Sequence, residues 1–243
     1  MPVYYPKANR TAAWYGNRYP GSAINPDKMV WHTTETNGRP GYGSGASAPH
    51  LTFDPKSLDW WQHFSLDRSA RALRNESGGI ETNTDGVIQV EIIAYSDETL
   101  AAQRGHLAVS DLSQAALREL GNFSAWLATN LDVPLRIDSG WVRRNYRNPS
   151  RMSYTQWRSF TGHTGHNRVP ENTHWDPAAL DIDAIMRYAG QTSPSPQPTP
   201  TPEDDDMPIY AVQRYGSSLY KLFTGGYPPI TISEWDYNTL KAS

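Results

Sequence analysis

There is no cysteine among the 243 residues of this chain. That absence excludes a disulfide scaffold and a thiolate zinc site, and it leaves histidine, aspartate and glutamate as the strong metal ligands. An excess of positive charge is missing as well. Lys and Arg total 22 against 25 Asp and Glu, for a formal net charge of −3. No basic run stands out, so the electrostatic footprint of a nucleic-acid binder is not there. Long apolar runs are also lacking. The opening MPVYYPKANRTAAWYG carries early charges and two prolines, with no stretch of signal-peptide length, and no later segment is long and apolar enough to span a bilayer. No internal repeat is present. The expectation is a protein that is made in a cytoplasm without a signal peptide, does not insert into membranes and does not bind nucleic acid.

What is present supports a packed fold. Hydrophobic residues make up 37% and aromatics 12%, with nine Trp and fourteen Tyr, enough for one sizeable core and a small appendage. The stretch GQTSPSPQPTPTPEDDD, residues 190–206, alternates proline with Ser, Thr and Gln before turning acidic, the composition of an extended linker. It separates a main domain, 1–189, from a C-terminal module, 207–243. In that module, short aromatic and β-branched runs broken by YGSS and TGGYPP predict three short strands. A segment of this size rarely folds without a staple or a partner surface.

Within the main domain, KMVWHTTE at 28–35 reads as a buried strand with Val30, His32 and Thr34 on one face and Met29 and Trp31 on the other. GVIQVEIIAY at 86–95 predicts a second strand, with Val87, Gln89, Glu91 and Ile93 on one side and Ile88, Val90 and Ile92 on the opposite side. Both faces are apolar, so this strand should be central and covered on both sides. Leu112, Ala116, Leu120, Phe123 and Leu127 recur at steps of four and three, the stripe of an amphipathic helix. DPAALDIDAIMRYAG predicts a last helix with Asp176 as N-cap, Pro177 at its first position and Gly190 as the stop. Interleaved strands and helices make the domain α/β.

Candidate chemistry concentrates in two places. A carboxylate in a strand as apolar as VIQVEII is costly to bury ionised. Glu91 therefore either pairs with a nearby arginine, such as Arg71 or Arg74, or acts as a general base of raised pKa. The second place is GHTGHNRVPENTHWDP, residues 162–177, with His163, His166 and His174 followed by Asp176. A hydrolytic zinc site needs three protein ligands and an open fourth position. His166 and Asp176 stand ten residues apart with Pro170 between them, so they converge only through a loop. Asp176 can serve as helix cap and ligand together, because a carboxylate has two oxygens. His50, His63 and His106 read as surface or satisfied core residues.

Taken in order, MVWHTTE, VIQVEI and GHNRVPENTHWDP resemble the motifs of the type-2 N-acetylmuramoyl-L-alanine amidases over roughly the first 190 residues. These are zinc hydrolases that share a fold with peptidoglycan recognition proteins. HWDP with a proline-rich tail is similar to the endolysins of phages infecting actinobacteria. The resemblance implies a mixed central sheet flanked by helices, Zn2+ as cofactor and bacterial peptidoglycan as partner. It puts the metal ligands at His32, His166 and Asp176, the general base at Glu91, and an oxyanion-stabilising donor at His174. It further implies action on the cell wall after release from the host cytoplasm, with wall binding as one role for the C-terminal module. Two positions depart from the family pattern: Gln89 stands where many members have glycine, and His174 where many have lysine. A zinc peptidase cutting within the stem peptide would use similar ligands. A non-catalytic binding protein of the same fold would lack a ligand or the glutamate, and here all four positions are filled.

Overall fold

A computed structural model describes residues 2–141 and 150–191, together with the backbone of three strands within 209–233. The chain divides into two compact units, Met1–Ser193 and Pro194–Ser243. Most of the proline-rich stretch, and residues 142–149, lie outside the described residues.

The first unit is an α/β domain built on a mixed six-stranded sheet. Its strands are β1 (Ala8–Asn9), β2 (Lys28–Thr33), β3 (Leu51–Phe53), β4 (Trp60–Gln62), β5 (Val87–Ile92) and β6 (Gly162–Gly165). They lie in the order β1-β4-β3-β5-β2-β6. The β3–β4 pair is antiparallel and every other pair is parallel. β5 is therefore internal, as its two apolar faces require. Met29 pairs with Ile88 and Trp31 with Val90. These side chains face a core completed by Leu120, Phe123 and Leu127 of α2 (Gln114–Asn130) and by Ile182 and Ile185 of α4 (Ile182–Gln191). Ser113 caps α2, its hydroxyl accepting the Ala116 N–H at 3.1 Å. α2 and α4 pack closely at Gly121, where a Cβ would lie 2.5 Å from Tyr188 Cβ and 2.9 Å from the Ile185 carbonyl.

Val30 and Val87 point to the other face, where they pack with Leu73, Ile80, Met152, Val169 and Trp157. Trp157 belongs to the short helix α3 (Tyr154–Ser159). A further short helix, α1 (Glu98–Arg104), follows β5 and is capped by Asp97. Among the described residues, no helix is long and apolar enough to cross a membrane.

The last helix begins later than the sequence predicts. α4 starts at Ile182 rather than Pro177 and continues through Gly190 to Gln191. Asp181 holds its start, its Oδ1 accepting the Ala184 N–H at 2.9 Å, which is the bond an N-cap makes to the third helical residue. Asp176 is not the cap because its carboxylate is engaged elsewhere, accepting the Thr33 N–H at 3.2 Å. The second unit contains β7 (Ile209–Tyr215), β8 (Leu219–Thr224) and β9 (Ile230–Ser233) in an antiparallel sheet of that order, the three short strands expected.

Candidate metal centre

His32 is the fifth residue of β2 and is almost completely buried, on the same face as Val30. β6 pairs with β2 so that Trp31 stands opposite Gly165. One residue further along that register the chain enters a 3-10 turn, His166–Arg168, which sets His166 beside His32. The loop carrying Asp176 then folds back onto this turn. The Asn167 N–H donates to the Asp176 carbonyl at 2.8 Å. Gly165 permits the close approach: a Cβ there would lie 2.8 Å from Pro177 Cδ.

Three lone-pair donors meet at this point. His32 Nδ1 and His166 Nδ1 are 3.0 Å apart, His166 Nδ1 and Asp176 Oδ1 3.2 Å, and His32 Nδ1 and Asp176 Oδ2 3.7 Å. Ligands about 2.1 Å from a tetrahedral ion would stand about 3.4 Å from one another, so the spacing fits a metal ion without rearrangement. His32, His166 and Asp176 are all buried and together form a group able to hold such an ion. Two nitrogens and one oxygen suit a borderline cation such as zinc, although the donor set alone does not distinguish among first-row divalent metals.

The electrostatics suit the same role. Burial, reinforced by the His166 ring, holds His32 well below the usual imidazole range despite the attraction of Asp176. A neutral His32 has a lone pair to give. Burial pushes the Asp176 carboxyl up, but His166, His174 and His32 together outweigh it and hold the group well below the carboxylate range. Asp176 is therefore an anion. His166 Nε2 faces Asn172 Oδ1 at 3.0 Å, whereas His32 Nε2 is buried with no hydrogen-bond partner among the described residues.

Glu91 stands directly beside His32 in the β2–β5 register, on the same face. Its Oε2 is buried without a hydrogen-bond partner among the described residues. Burial, then the Asp176 and Glu35 charges, push its pKa well above the ordinary carboxylate value. Neither candidate arginine neutralises it: Arg71 Nε donates to the Ala46 carbonyl, and Arg74 lies 3.7 Å from Glu76. Gln89, two residues earlier, works as a tie. Its Oε1 accepts the Ala72 N–H at 2.9 Å and its Nε2 donates to Asn83 at 3.0 Å.

His174 is largely exposed, with Nδ1 3.6 Å from Asp176 Oδ1, and its ring stacks on His166 at 4.6 Å. The Asp176 carboxylate is the main reason its pKa is raised. His174, Trp175 and Asp176 form one side of a cavity of about 700 Å3 whose other side is Glu35, Asp97 and Gln103. The buried cluster thus has an open flank. His163 is not part of the cluster: it lies on the opposite face of the sheet, buried, its Nδ1 accepting from Trp31 Nε1 at 3.3 Å. His50 and His63 are core residues that hydrogen-bond the Arg68 and Ala13 carbonyls, and His106 stacks on Tyr95.

Two residues near the centre went unnoticed in the sequence. Glu35 has a positive φ of 53°, and its Oε1 accepts from the Thr33 hydroxyl at 2.7 Å and the Ser96 N–H at 2.9 Å. Its place three residues after His32, just past the end of β2, was the available signal. Asn172 stands six residues after His166 within the same motif, but its bonds to Arg74, 98 residues away, left no mark in the sequence. The Asn75 side chain is tied within its own loop, its Oδ1 accepting the Thr82 N–H at 2.9 Å. Comparison of the chain with known protein families, curated proteins and solved structures finds no match.

Proposed function

We propose that this chain is a zinc-dependent N-acetylmuramoyl-L-alanine amidase that degrades bacterial peptidoglycan, and that it acts as the endolysin of a phage infecting actinobacteria. The observation that carries the hydrolase reading is the convergence of His32, His166 and Asp176 at 3.0–3.7 Å, with Glu91 as the register neighbour of His32. The substrate assignment rests on the ordered motifs MVWHTTE, VIQVEI and GHNRVPENTHWDP.

Zinc held by His32, His166 and Asp176 would supply Lewis-acid polarisation of a carbonyl and acidify water. Glu91 accepts the proton of the attacking water at its carboxylate and returns it to the amide nitrogen of L-alanine as that bond breaks. An upward-shifted pKa suits a group that must hold the proton before releasing it. His174, at the open flank, donates from its ring to the oxyanion that forms on the lactyl carbonyl. The adjoining cavity, with Glu35, Gln103 and Trp175 in its lining, would take the flanking substrate in this reading.

Mass spectrometry of digested cell wall tests this reading. Intact stem peptides freed from glycan are expected. Cleavage within the peptide would replace the amidase with a peptidase, and an undigested wall with the chain bound to it would leave a binding protein.

A further inference from the structure

Asn172 is 4% exposed, and the protein uses all of its side-chain hydrogen-bonding capacity. Its Nδ2 donates to the backbone carbonyls of Arg74 at 3.1 Å and Pro170 at 2.8 Å. Carbonyls only accept, so the orientation of the amide is decided and the remaining atom must be Oδ1. Oδ1 accepts the Arg74 N–H at 2.9 Å and faces His166 Nε2 at 3.0 Å. An amide oxygen cannot donate, so the ring proton of neutral His166 belongs on Nε2 and its lone pair on Nδ1. Nδ1 is the atom that faces His32 and Asp176.

The same segment grips a loop. Besides the two bonds from Asn172 to Arg74, Glu171 accepts the Glu76 N–H at 2.8 Å and the Ile80 N–H at 2.7 Å. Residues 74–83 are thus fastened to the strip of chain that orients a metal ligand.

We propose that Asn172 is a positioning residue that selects the metal-binding tautomer of His166 and, through the same amide, couples the loop at residues 74–83 to the metal centre. Partners of this kind fix ring orientation and ligand basicity, and their loss typically weakens metal binding by about 10–100-fold. The inference rests on the cluster being a metal cradle and is indifferent to the substrate.

Three measurements on the full chain test it. Long-range 1H–15N NMR of the metal-free protein should find His166 protonated at Nε2; a proton on Nδ1 overturns the proposal. Zinc competition against a chromogenic chelator should show Asn172→Ala weaker by about 10–100-fold. Asn172→Asp keeps an acceptor for Nε2–H but turns a second oxygen toward the Arg74 and Pro170 carbonyls, so it should recover only part of that loss. Wild-type affinity in Asn172→Ala overturns the tautomer role. Finally, zinc should slow amide exchange across residues 74–83 in the wild type and not in Asn172→Ala; exchange indifferent to zinc in the wild type overturns the coupling. Should Asn172→Ala fail to fold, the wild-type tautomer and the wild-type exchange still decide the matter. A wild-type chain that binds no zinc defeats the proposed hydrolase, and the NMR result then judges Asn172 separately.

Discussion

Glu91 is the only residue of β5 that is not fully buried, and its Oε2 finds no partner among the described residues. A buried carboxyl oxygen without a partner is a liability to the fold, and the general-base role proposed for Glu91 would account for it. Glu91→Gln should keep one zinc per chain while turnover falls by about 10²–10⁴-fold; a variant with wild-type turnover removes Glu91 from the mechanism. His174 differs in kind, being largely exposed. His174→Ala should lower kcat by about 10²–10³-fold with little change in KM, and a loss confined to KM would assign it to binding. His32, Glu91, His166 and Asp176 were legible in the sequence because each belongs to a local motif. Glu35 and Asn172 were not, because their side chains are held in place by distant segments, at Ser96 and Arg74 respectively. Asn172 reaches back 98 residues to Arg74.

At the scale of elements, periodicity made β2, β5 and α2 readable, since each is long enough for one face to repeat. The shorter strands β1, β3, β4 and β6 run two to four residues, too few for a period to register. β6, Gly-His-Thr-Gly, even has poor strand propensity, and its pairing with β2 overrides that. α4 starts later than the Asp176–Pro177 pair predicts because the Asp176 carboxylate accepts the Thr33 N–H, while Asp181 makes the capping bond to Ala184. Their separate duties can be tested. Asp181→Ala should cost about 1 kcal/mol of stability and leave zinc stoichiometry unchanged. Asp176→Ala should lose tight zinc binding, and the two outcomes reversed would restore Asp176 as the cap.

For the whole molecule, metal and protons both bear on stability. Zinc that binds only the folded chain should add about 2.7 kcal/mol at a free concentration of 100 Kd, seen as a rise in Tm. Chelation should abolish wall lysis and zinc restore it; lysis indifferent to chelator defeats the metal reading. His163 is buried, which lowers its pKa to about 3. The unfolded chain, with a histidine pKa of about 6.5, takes up a proton that the folded one refuses, so its contribution is full above that pH and declines as pH falls toward 3. His163→Leu should therefore have a stability slope between pH 6 and 4 shallower by about 1.4 kcal/mol per pH unit. Urea unfolding across that range checks it, and an unchanged slope contradicts the burial of a neutral ring. The spread of the ligands along the chain has one more outcome, in the timing of synthesis. His32 leaves the ribosome 134 residues before His166, and Asp176 later still. A growing chain holds one isolated donor for most of its synthesis, and a cradle only once the last strand and its following loop have come home. Fragments ending before Asp176 thus lack the third member of the cradle, and the capacity to hold an ion there arrives only once that residue has been added.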